Sequence, residues 1–307
     1  MRVIITGHTG FIGSALAANL AADGHDVVGV SRSPATQGAS AKHSSVDNVI
    51  VWDLEAGTID KNAMEGADAI VHLAGESIEG RWTAAKKQRI LNSRVRSTEV
   101  LADAIASLDS TPQVLVSGSA MGIYGNRRDE VLSEGSSTPG GSFLADVCLA
   151  WEAAAMPVAS LGVRLVYART GLVLGEGGGA LKKMATITKF GAGGPLGRGD
   201  QWWSWITLDD EVRALRHVID NEVEGPANIV GPTAVRQKDF ARALGENLRR
   251  PTFMPAPAFA IKAILGEMGQ ALLLDSIRLV PQTLVDAGFE HQHPDLGAAL
   301  KSMLQRS

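Results

Sequence analysis

Apolar positions fall into two rhythms along this chain. Six short runs, Val3-Ile4-Ile5, Val27-Val28-Gly29-Val30, Val49-Ile50-Val51-Trp52, Ala69-Ile70-Val71, Val114-Leu115-Val116 and Val163 to Tyr167, read as parallel strands with both faces buried. Between them the apolar residues repeat with helical spacing. Phe11, Leu16 and Leu20 mark one helix; Ile90, Val95, Leu101 and Ile105 mark a long one from Trp82 to Ser107; another runs from about Ser142 to Ala159. Such alternation predicts an α/β fold with a doubly wound parallel sheet, whose functional turns gather at its carboxyl edge. Residues 34 to 47, rich in Ser, Ala, Gly and Gln, read as a loop. From Gly171 the texture changes: glycines punctuate short segments, and Gln201-Trp202-Trp203-Ser204-Trp205-Ile206 gathers three of the six tryptophans. These rings line a substrate cleft or roof the core of a smaller lobe, and the pattern leaves both open. The expected organisation is a nucleotide-binding domain over 1–170, to which 200–230 returns, and a smaller C-terminal α/β substrate lobe over 171–307. That lobe ends in a helical segment from about 251.

The turn between the first strand and the first helix is Thr6-Gly7-His8-Thr9-Gly10-Phe11-Ile12-Gly13. Gly7 permits a tight turn, Gly10 lets a pyrophosphate approach the backbone, and Gly13 lets the helix pack on the strand. The free N–H groups and positive dipole end of the helix then face the phosphates. In this strand-turn-helix context the glycines read as a Rossmann-like dinucleotide site, and no Gly-Lys-Ser/Thr follows to suggest a P-loop. After the second strand, where an acidic residue would accept from a ribose 2′-hydroxyl, stands Arg32, which favours NADP(H) over NAD(H). The alternative is a solvated surface arginine. Asp53 and Leu54 reach the adenine, or Asp53 caps the following turn. His72 reads as a packing histidine, with no second metal-binding residue near it in sequence. Lys86, Lys87, Arg89, Arg94 and Arg96 form a basic run, mostly a solvated face, of which one or two could meet an anionic substrate.

Composition narrows the class. The chain has 307 residues, 45% hydrophobic and 20% charged, with a formal net charge of −4, so no basic surface argues for nucleic acid. Cys148 is its one cysteine, which excludes an internal disulfide and a thiolate cluster for zinc; no metal is expected. The first strand starts at residue 2 without a charged leader, and no uninterrupted apolar run reaches membrane-spanning length. The expectation is a cytoplasmic protein with no membrane partner, a monomer or homodimer acting on an unknown small molecule.

Taken together the motifs resemble the extended short-chain dehydrogenase/reductases, the NAD(P)-dependent epimerase/dehydratase superfamily. More narrowly, the chain is similar to an atypical nucleoside-diphosphate sugar epimerase branch with a short family-specific C-terminal domain. The resemblance rests on the glycine turn, His72-Leu73-Ala74-Gly75, Ser117-Gly118-Ser119, Tyr124-Gly125 and Arg169-Thr170-Gly171-Leu172-Val173-Leu174-Gly175. It extends through Trp203-Ser204-Trp205-Ile206 with Asp209-Asp210, Pro255-Ala256-Pro257-Ala258-Phe259 and Leu265-Gly266-Glu267-Met268. It implies that Thr6, Gly7, Gly10, Phe11, Ile12, Gly13, Arg32, Asp53, Leu54, Leu73, Ala74 and Gly75 contact the dinucleotide. Ser117 and Leu172 would lie near its nicotinamide half.

The chemistry departs from that pattern. Hydride-transferring relatives use a serine with Tyr-x-x-x-Lys, the tyrosine as acid/base and the lysine lowering its pKa. Aligning on Trp151-Glu152 places Leu144 at the tyrosine and Cys148 at the lysine, and neither can act so. Ser119 and Tyr124 remain as catalytic candidates. Glu76, Arg81 and Trp82, close to the cofactor edge, and Trp202 and Trp203 are the candidates for substrate contact. Two functions stand: an NADP(H)-dependent oxidoreductase or epimerase with a non-standard acid/base, and a catalytically decayed NADPH-binding sensor or interaction protein. A serine hydrolase on Ser119 is disfavoured, because Gly118-Ser119-Ala120-Met121-Gly122 is not Gly-x-Ser-x-Gly.

Overall fold

The computed structural model describes residues 1–32, 46 and 48–305, so the loop reading for 34–47 lies, apart from Val46, outside the described residues. Its strands are β1 (Arg2–Thr6), β2 (Asp26–Ser31), β3 (Asn48–Asp53), β4 (Thr58–Ile59), β5 (Ala69–His72), β6 (Val114–Ala120), β7 (Val131–Leu132), β8 (Arg164–Thr170), β9 (Leu172–Leu174), β10 (Trp202–Trp203), β11 (Trp205–Thr207), β12 (Gly225–Ile229), β13 (Val235–Arg236) and β14 (Arg278–Leu279). Its helices are α1 (Phe11–Ala22), α2 (Ala84–Ala106), α3 (Phe143–Ala155), α4 (Gly179–Lys189), α5 (Leu208–Asp220), α6 (Gln237–Leu248), α7 (Ala258–Gly269), α8 (Gln282–Asp286) and α9 (Leu296–Gln305).

Eight strands form the main sheet in the order β12-β8-β6-β5-β1-β2-β3-β4. Every pairing is parallel except β3 with β4. This is a Rossmann-like doubly wound sheet, and its order reverses between β1 and β5. Both faces are covered, which is why β1 lacks polar alternation. Val3 and Ile5 pack with Leu16, Leu20 and Leu215 from α1 and α5, whereas Ile4 packs with Leu101, Ile105 and Ala155 from α2 and α3.

The six apolar runs all lie in strands of this sheet, save for Val163, which stands just before β8. Gly225-Pro226-Ala227-Asn228-Ile229 has no comparable apolar run, yet it forms β12. Pro226 is tolerated because β12 is the sheet's terminal strand and pairs with β8 alone.

The helix expected from Trp82 starts at Ala84, where the Thr83 hydroxyl accepts the Lys86 N–H at 3.2 Å as a cap. The Phe143–Leu161 segment has the length and mean hydropathy, 1.4, of a membrane-crossing helix. It is interrupted by Asp146 and Glu152 and packs on α2 with Val147, Trp151 and Ala155 buried.

Beyond Gly171, β9 pairs with β11, β10 with β13 and β14 with β7. Trp203, Trp205, Phe240, Leu244 and Leu300 make a second core beneath α4, α6 and α9. The β14–β7 pairing ties the C-terminal segment to the loop that follows β6.

Candidate cofactor cleft and active site

Sheet register brings the functional turns together at one edge. Thr6 of β1 is opposite Val30 of β2 and His72 of β5, and His72 is opposite Ser117 of β6. Gly7 leaves β1 with φ of 71°, and its carbonyl accepts the Gly10 N–H at 2.8 Å. A Cβ on Gly7 would lie 2.9 Å from the Leu73–Ala74 backbone; one on Gly13 would overlap the Gly7 carbonyl oxygen. The turn is therefore packed to the limit of a hydrogen side chain.

Helix α1 then begins at Gly10 with no side-chain cap and no acidic residue in its first turn, which leaves its amide donors for an anion. The Phe11 ring lies beneath Gly175, Gly178 and Gly179, where added Cβ atoms would come within 2.7 to 3.0 Å of it. The glycine loop after β9 thus closes over the turn. Such a cradle fits a pyrophosphate.

Several residues implied for the dinucleotide serve the protein itself. The Thr6 hydroxyl is buried, accepts the Ala74 N–H at 3.1 Å and is 2.7 Å from His72 Nδ1. The His72 tautomer follows from the other ring nitrogen: the Ser97 and Thr98 hydroxyl protons go to backbone carbonyls, so Nε2 carries the ring hydrogen and Nδ1 accepts from Thr6. Nε2 faces the Thr98 and Ser97 hydroxyls at 3.0 and 3.1 Å, both of which donate to backbone carbonyls of α2. His72 is thus a neutral tie between sheet and helix, and burial depresses its pKa to about 3.

Asp53 caps its turn, its Oδ1 accepting from Glu55 and Ala56 at 2.9 and 3.0 Å. Ile12, Leu54, Leu73 and Ala74 pack against the two core faces. Leu172 pairs with Trp205 in the smaller lobe. Arg32 is exposed just past β2, and Ser117 Oγ is buried with no partner among the described residues.

Across β6, β8 and β12 the register sets Ser119, Arg169 and Asn228 side by side. Ser119 Oγ donates to Glu152 Oε1 at 2.7 Å; Arg169 grips both oxygens of the same carboxylate at 2.8 and 2.9 Å. Arg169 also donates to the Tyr124 hydroxyl at 2.9 Å, and that hydroxyl donates to Asn228 Oδ1 at 2.8 Å. Tyr124 as proton donor is corrected by this geometry: its side chain is fully buried, both roles of the phenol are occupied, and burial raises its pKa. Sequence reasoning missed Glu152 and Arg169 as a pair. Their signal was a charged residue at a mostly buried position of each of two mostly apolar elements, α3 and β8.

Leu144 packs on Gly122, and the Cys148 thiol is pushed up to about 12 by burial, inert as a nucleophile.

The substrate candidates divide. Lys86, hydrogen-bonded at 2.6 Å, holds the Glu76 carboxyl below its ordinary range, with Arg89 and Arg32 adding to the effect. Arg81 is exposed; Trp82 donates to Ile78 O at 2.7 Å and meets the Phe143 ring edge-on at 5.0 Å between centroids. Trp203 as a substrate contact is corrected: it is 5% exposed and stacks on Phe240 in the small-lobe core. Trp202 is half-buried between the Arg236 and Arg278 guanidinium groups and donates to Asp129 at 3.0 Å. Beside it lies a hollow of about 490 Å³ whose lining includes Arg128, Arg198, Arg236 and Lys262 together with Asp129 and Asp200, which pair with Arg236 and Arg198. Among the described residues there is no cluster of His, Cys, Asp and Glu able to hold a metal ion.

The family model described as NAD dependent epimerase/dehydratase family matches residues 3–231, spanning the cradle, the Ser119–Glu152–Arg169 array and the main sheet. The chain belongs to that family. A second model, Domain of unknown function (DUF1731), matches residues 256–303. The chain is 40% identical over 301 residues to Epimerase family protein Mb2239 of Mycobacterium bovis, covering 97% of this chain and 96% of the relative. Among solved structures it is similar to human epimerase family protein SDR39U1 (isoform 2) with NADPH, with TM-score 0.89, 33% identity and full coverage of both chains. It is also similar to the nucleoside-diphosphate sugar epimerase from Corynebacterium glutamicum, with TM-score 0.78 and 32% identity, over 100% of this chain and 59% of that one. Family membership accounts for the nucleotide cradle.

Two buried groups in this region set opposite pH limits on stability. As pH falls below the ordinary histidine value of 6.5, an unfolded chain protonates at His72 while the native ring resists until about 3, so stability declines toward acid. Glu211, buried with Thr170 Oγ1 donating to it at 2.8 Å, has its pKa raised by burial from 4.5 to about 8. Above pH 4.5 the unfolded carboxyl releases a proton that the native one keeps, so stability declines toward alkali until about 8. Between 4.5 and 6.5 the slopes oppose each other, each at about 1.4 kcal/mol per pH unit. Thermal melts should therefore show a plateau there, and Glu211→Gln should flatten the alkaline limb. An alkaline limb unchanged in that variant would refute the assignment.

Proposed function

We propose that the chain is an NADP(H)-dependent oxidoreductase or epimerase acting by hydride transfer on a small polar substrate of the sugar-nucleotide kind. The observation that carries this reading is the Ser119–Glu152–Arg169 array at the same sheet edge as a cradle that admits no Cβ. NADP(H), when bound, supplies the hydride. Gly7, Gly10 and Gly13 with the α1 amides would hold its pyrophosphate, and Arg32 its 2′-phosphate. The human relative with NADPH supports this cofactor preference. Ser119 already donates its proton to Glu152, which leaves its oxygen free to accept from a substrate hydroxyl. As that proton arrives, the serine's own moves to the carboxylate. Arg169 keeps the carboxylate in place with a two-pronged grip. In the hollow beside Trp202, Arg128 and Lys262 offer cations to the phosphates of such a substrate, while Arg198 and Arg236 there are paired with Asp200 and Asp129.

Two measurements test the reading. Arg32→Ala should weaken NADPH about 10- to 100-fold, the worth of a charged hydrogen bond, and leave NADH unchanged; equal affinities for NADPH before and after the change would overturn the 2′-phosphate role. With 4-deuterated NADPH and a panel of carbonyls and sugar nucleotides, Ser119→Ala should slow label transfer by about 100-fold or more. Label transfer at the wild-type rate would remove Ser119 from the chemistry. NADPH binding with no transfer to any member would favour the second reading, a binding protein without catalysis, which the Leu144 and inert Cys148 positions support.

A further inference from the structure

Eleven large apolar side chains stand exposed among the described residues, and six of them fall in two short segments, 179–199 and 249–266. Ile187 and Phe190 lie at the end of α4; Phe253 and Met254 precede α7, and Phe259 and Ile264 project from it. Phe190, Phe253 and Phe259 are 85%, 78% and 76% exposed, so they stand out as knobs instead of lining a groove. Apolar side chains gathered on a surface in this way mark a place of contact.

The two segments make one surface. The Ala256 N–H donates to the Pro195 carbonyl and the Gly197 N–H to the Ala256 carbonyl, both at 2.8 Å, and a Cβ on Gly194 would overlap the Met254 backbone. Helix α7 is barely covered: Ile261 and Gly269 are its buried residues, although Lys262 and Glu267 are its only polar side chains. A helix apolar on nearly every side is normally covered by something.

Charge says what covers it. The two segments carry seven Lys and Arg and no Asp or Glu, in a chain of net charge −4. Lys183 is paired with Glu79 and Arg198 with Asp200, while Glu267, just past the second segment, is held by Lys87. Lys182, Lys189, Arg249, Arg250 and Lys262 are exposed and have no carboxylate partner among the described residues. A second copy meeting this face across a twofold axis would set like charges against each other. The surface therefore calls for a partner that is acidic and apolar at once. Protruding aromatic rings among cations suit the boundary between headgroups and acyl chains of a bilayer.

We propose that the protein docks reversibly on membranes containing acidic phospholipids, with Phe190, Phe253 and Phe259 entering the interface and the unpaired cations resting on the headgroups. The expectation of no membrane partner rested on spanning runs, and a peripheral contact needs none. Ala258 and Lys262 also line the hollow beside Trp202, so docking brings that hollow to the membrane surface.

Co-sedimentation of the full chain with vesicles tests this. Binding to equal parts phosphatidylcholine and phosphatidylserine should exceed binding to phosphatidylcholine alone by about 10-fold or more, and high salt should release the protein. Phe253→Ser with Phe259→Ser should weaken binding to the mixed vesicles by about 10-fold or more, the loss expected of two inserted rings. Lys189→Glu with Arg250→Glu should weaken it by a similar factor, about 10-fold. All four changes fall on exposed side chains, and thermal melts coincident with wild type would confirm the fold. No binding to the mixed vesicles, equal binding to both lipids, or wild-type binding by either double variant would overturn the proposal. Light scattering that showed a dimer of the wild-type chain, abolished by the phenylalanine changes, would overturn it in favour of a second copy on this face.

Discussion

Glu152→Gln should destabilise the protein by about 3–5 kcal/mol, the cost of leaving a buried guanidinium without its carboxylate. The side chains of Arg169 and Glu152 are 8% and 13% exposed, so water cannot replace the lost charge. Glutamine keeps one acceptor oxygen for Arg169 or Ser119 but cannot satisfy both guanidinium edges. Arg169→Met should cost a similar amount and also release the Tyr124 hydroxyl from its donor. Because the two residues share one network, the double variant should be well short of the sum. Urea unfolding of the four proteins gives the coupling. Losses under 1 kcal/mol for both single changes, or strict additivity, would show that the pair is no more than a solvated contact.

Gly13→Ala is the second large effect, and it falls on binding. The new methyl would overlap the Gly7 carbonyl oxygen and lie 2.9 Å from the Gly7 carbonyl carbon. That carbonyl has little room to retreat, since Gly10 donates to it and the Gly7 Cα lies close to the Leu73–Ala74 backbone. Relief has to come from shifting the turn away from α1, which separates the amides that would hold the pyrophosphate. NADPH affinity should fall about 100-fold or more, with a stability loss of about 1–3 kcal/mol typical of overpacking. Calorimetric titration with far-ultraviolet circular dichroism as a fold control checks both. Affinity within threefold of wild type would mean that the turn does not cradle the ligand.

The difference between these two sites explains what was legible in the sequence. Gly7, Gly10 and Gly13 lie within seven residues, so strand, turn and helix could be read locally and the sheet followed from repeated apolar runs. Glu152, Arg169, Tyr124 and Asn228 come from four elements, with Tyr124 and Asn228 104 residues apart, and only strand register together with the packing of α3 on the sheet brings them together. Tyr124 was legible as a polar residue near the edge, but whether its phenol faces outward depends on Asn228 in a strand that carries little apolar signal. The tryptophans teach the same point at short range. Trp203 and Trp205 are buried while Trp202 is half-exposed, a difference set by two short strands with different partners that the aromatic density of the segment concealed.

The C-terminal segment completes groups on and beside the main sheet late in synthesis. Asp210, 1% exposed on α5, is satisfied by the amides of Gln292 and His293, and Asn228 Nδ2 by the Val280 carbonyl. Ser204 likewise accepts from Leu279 and donates to Ile277. All of these partners are translated after the main sheet is complete. A nascent chain can therefore emerge with its eight strands in hand while Asp210 has Arg213 and Asn228 has Tyr124 but neither has its later partners. Final locking of the sheet edge then waits for the C-terminus to leave the ribosome.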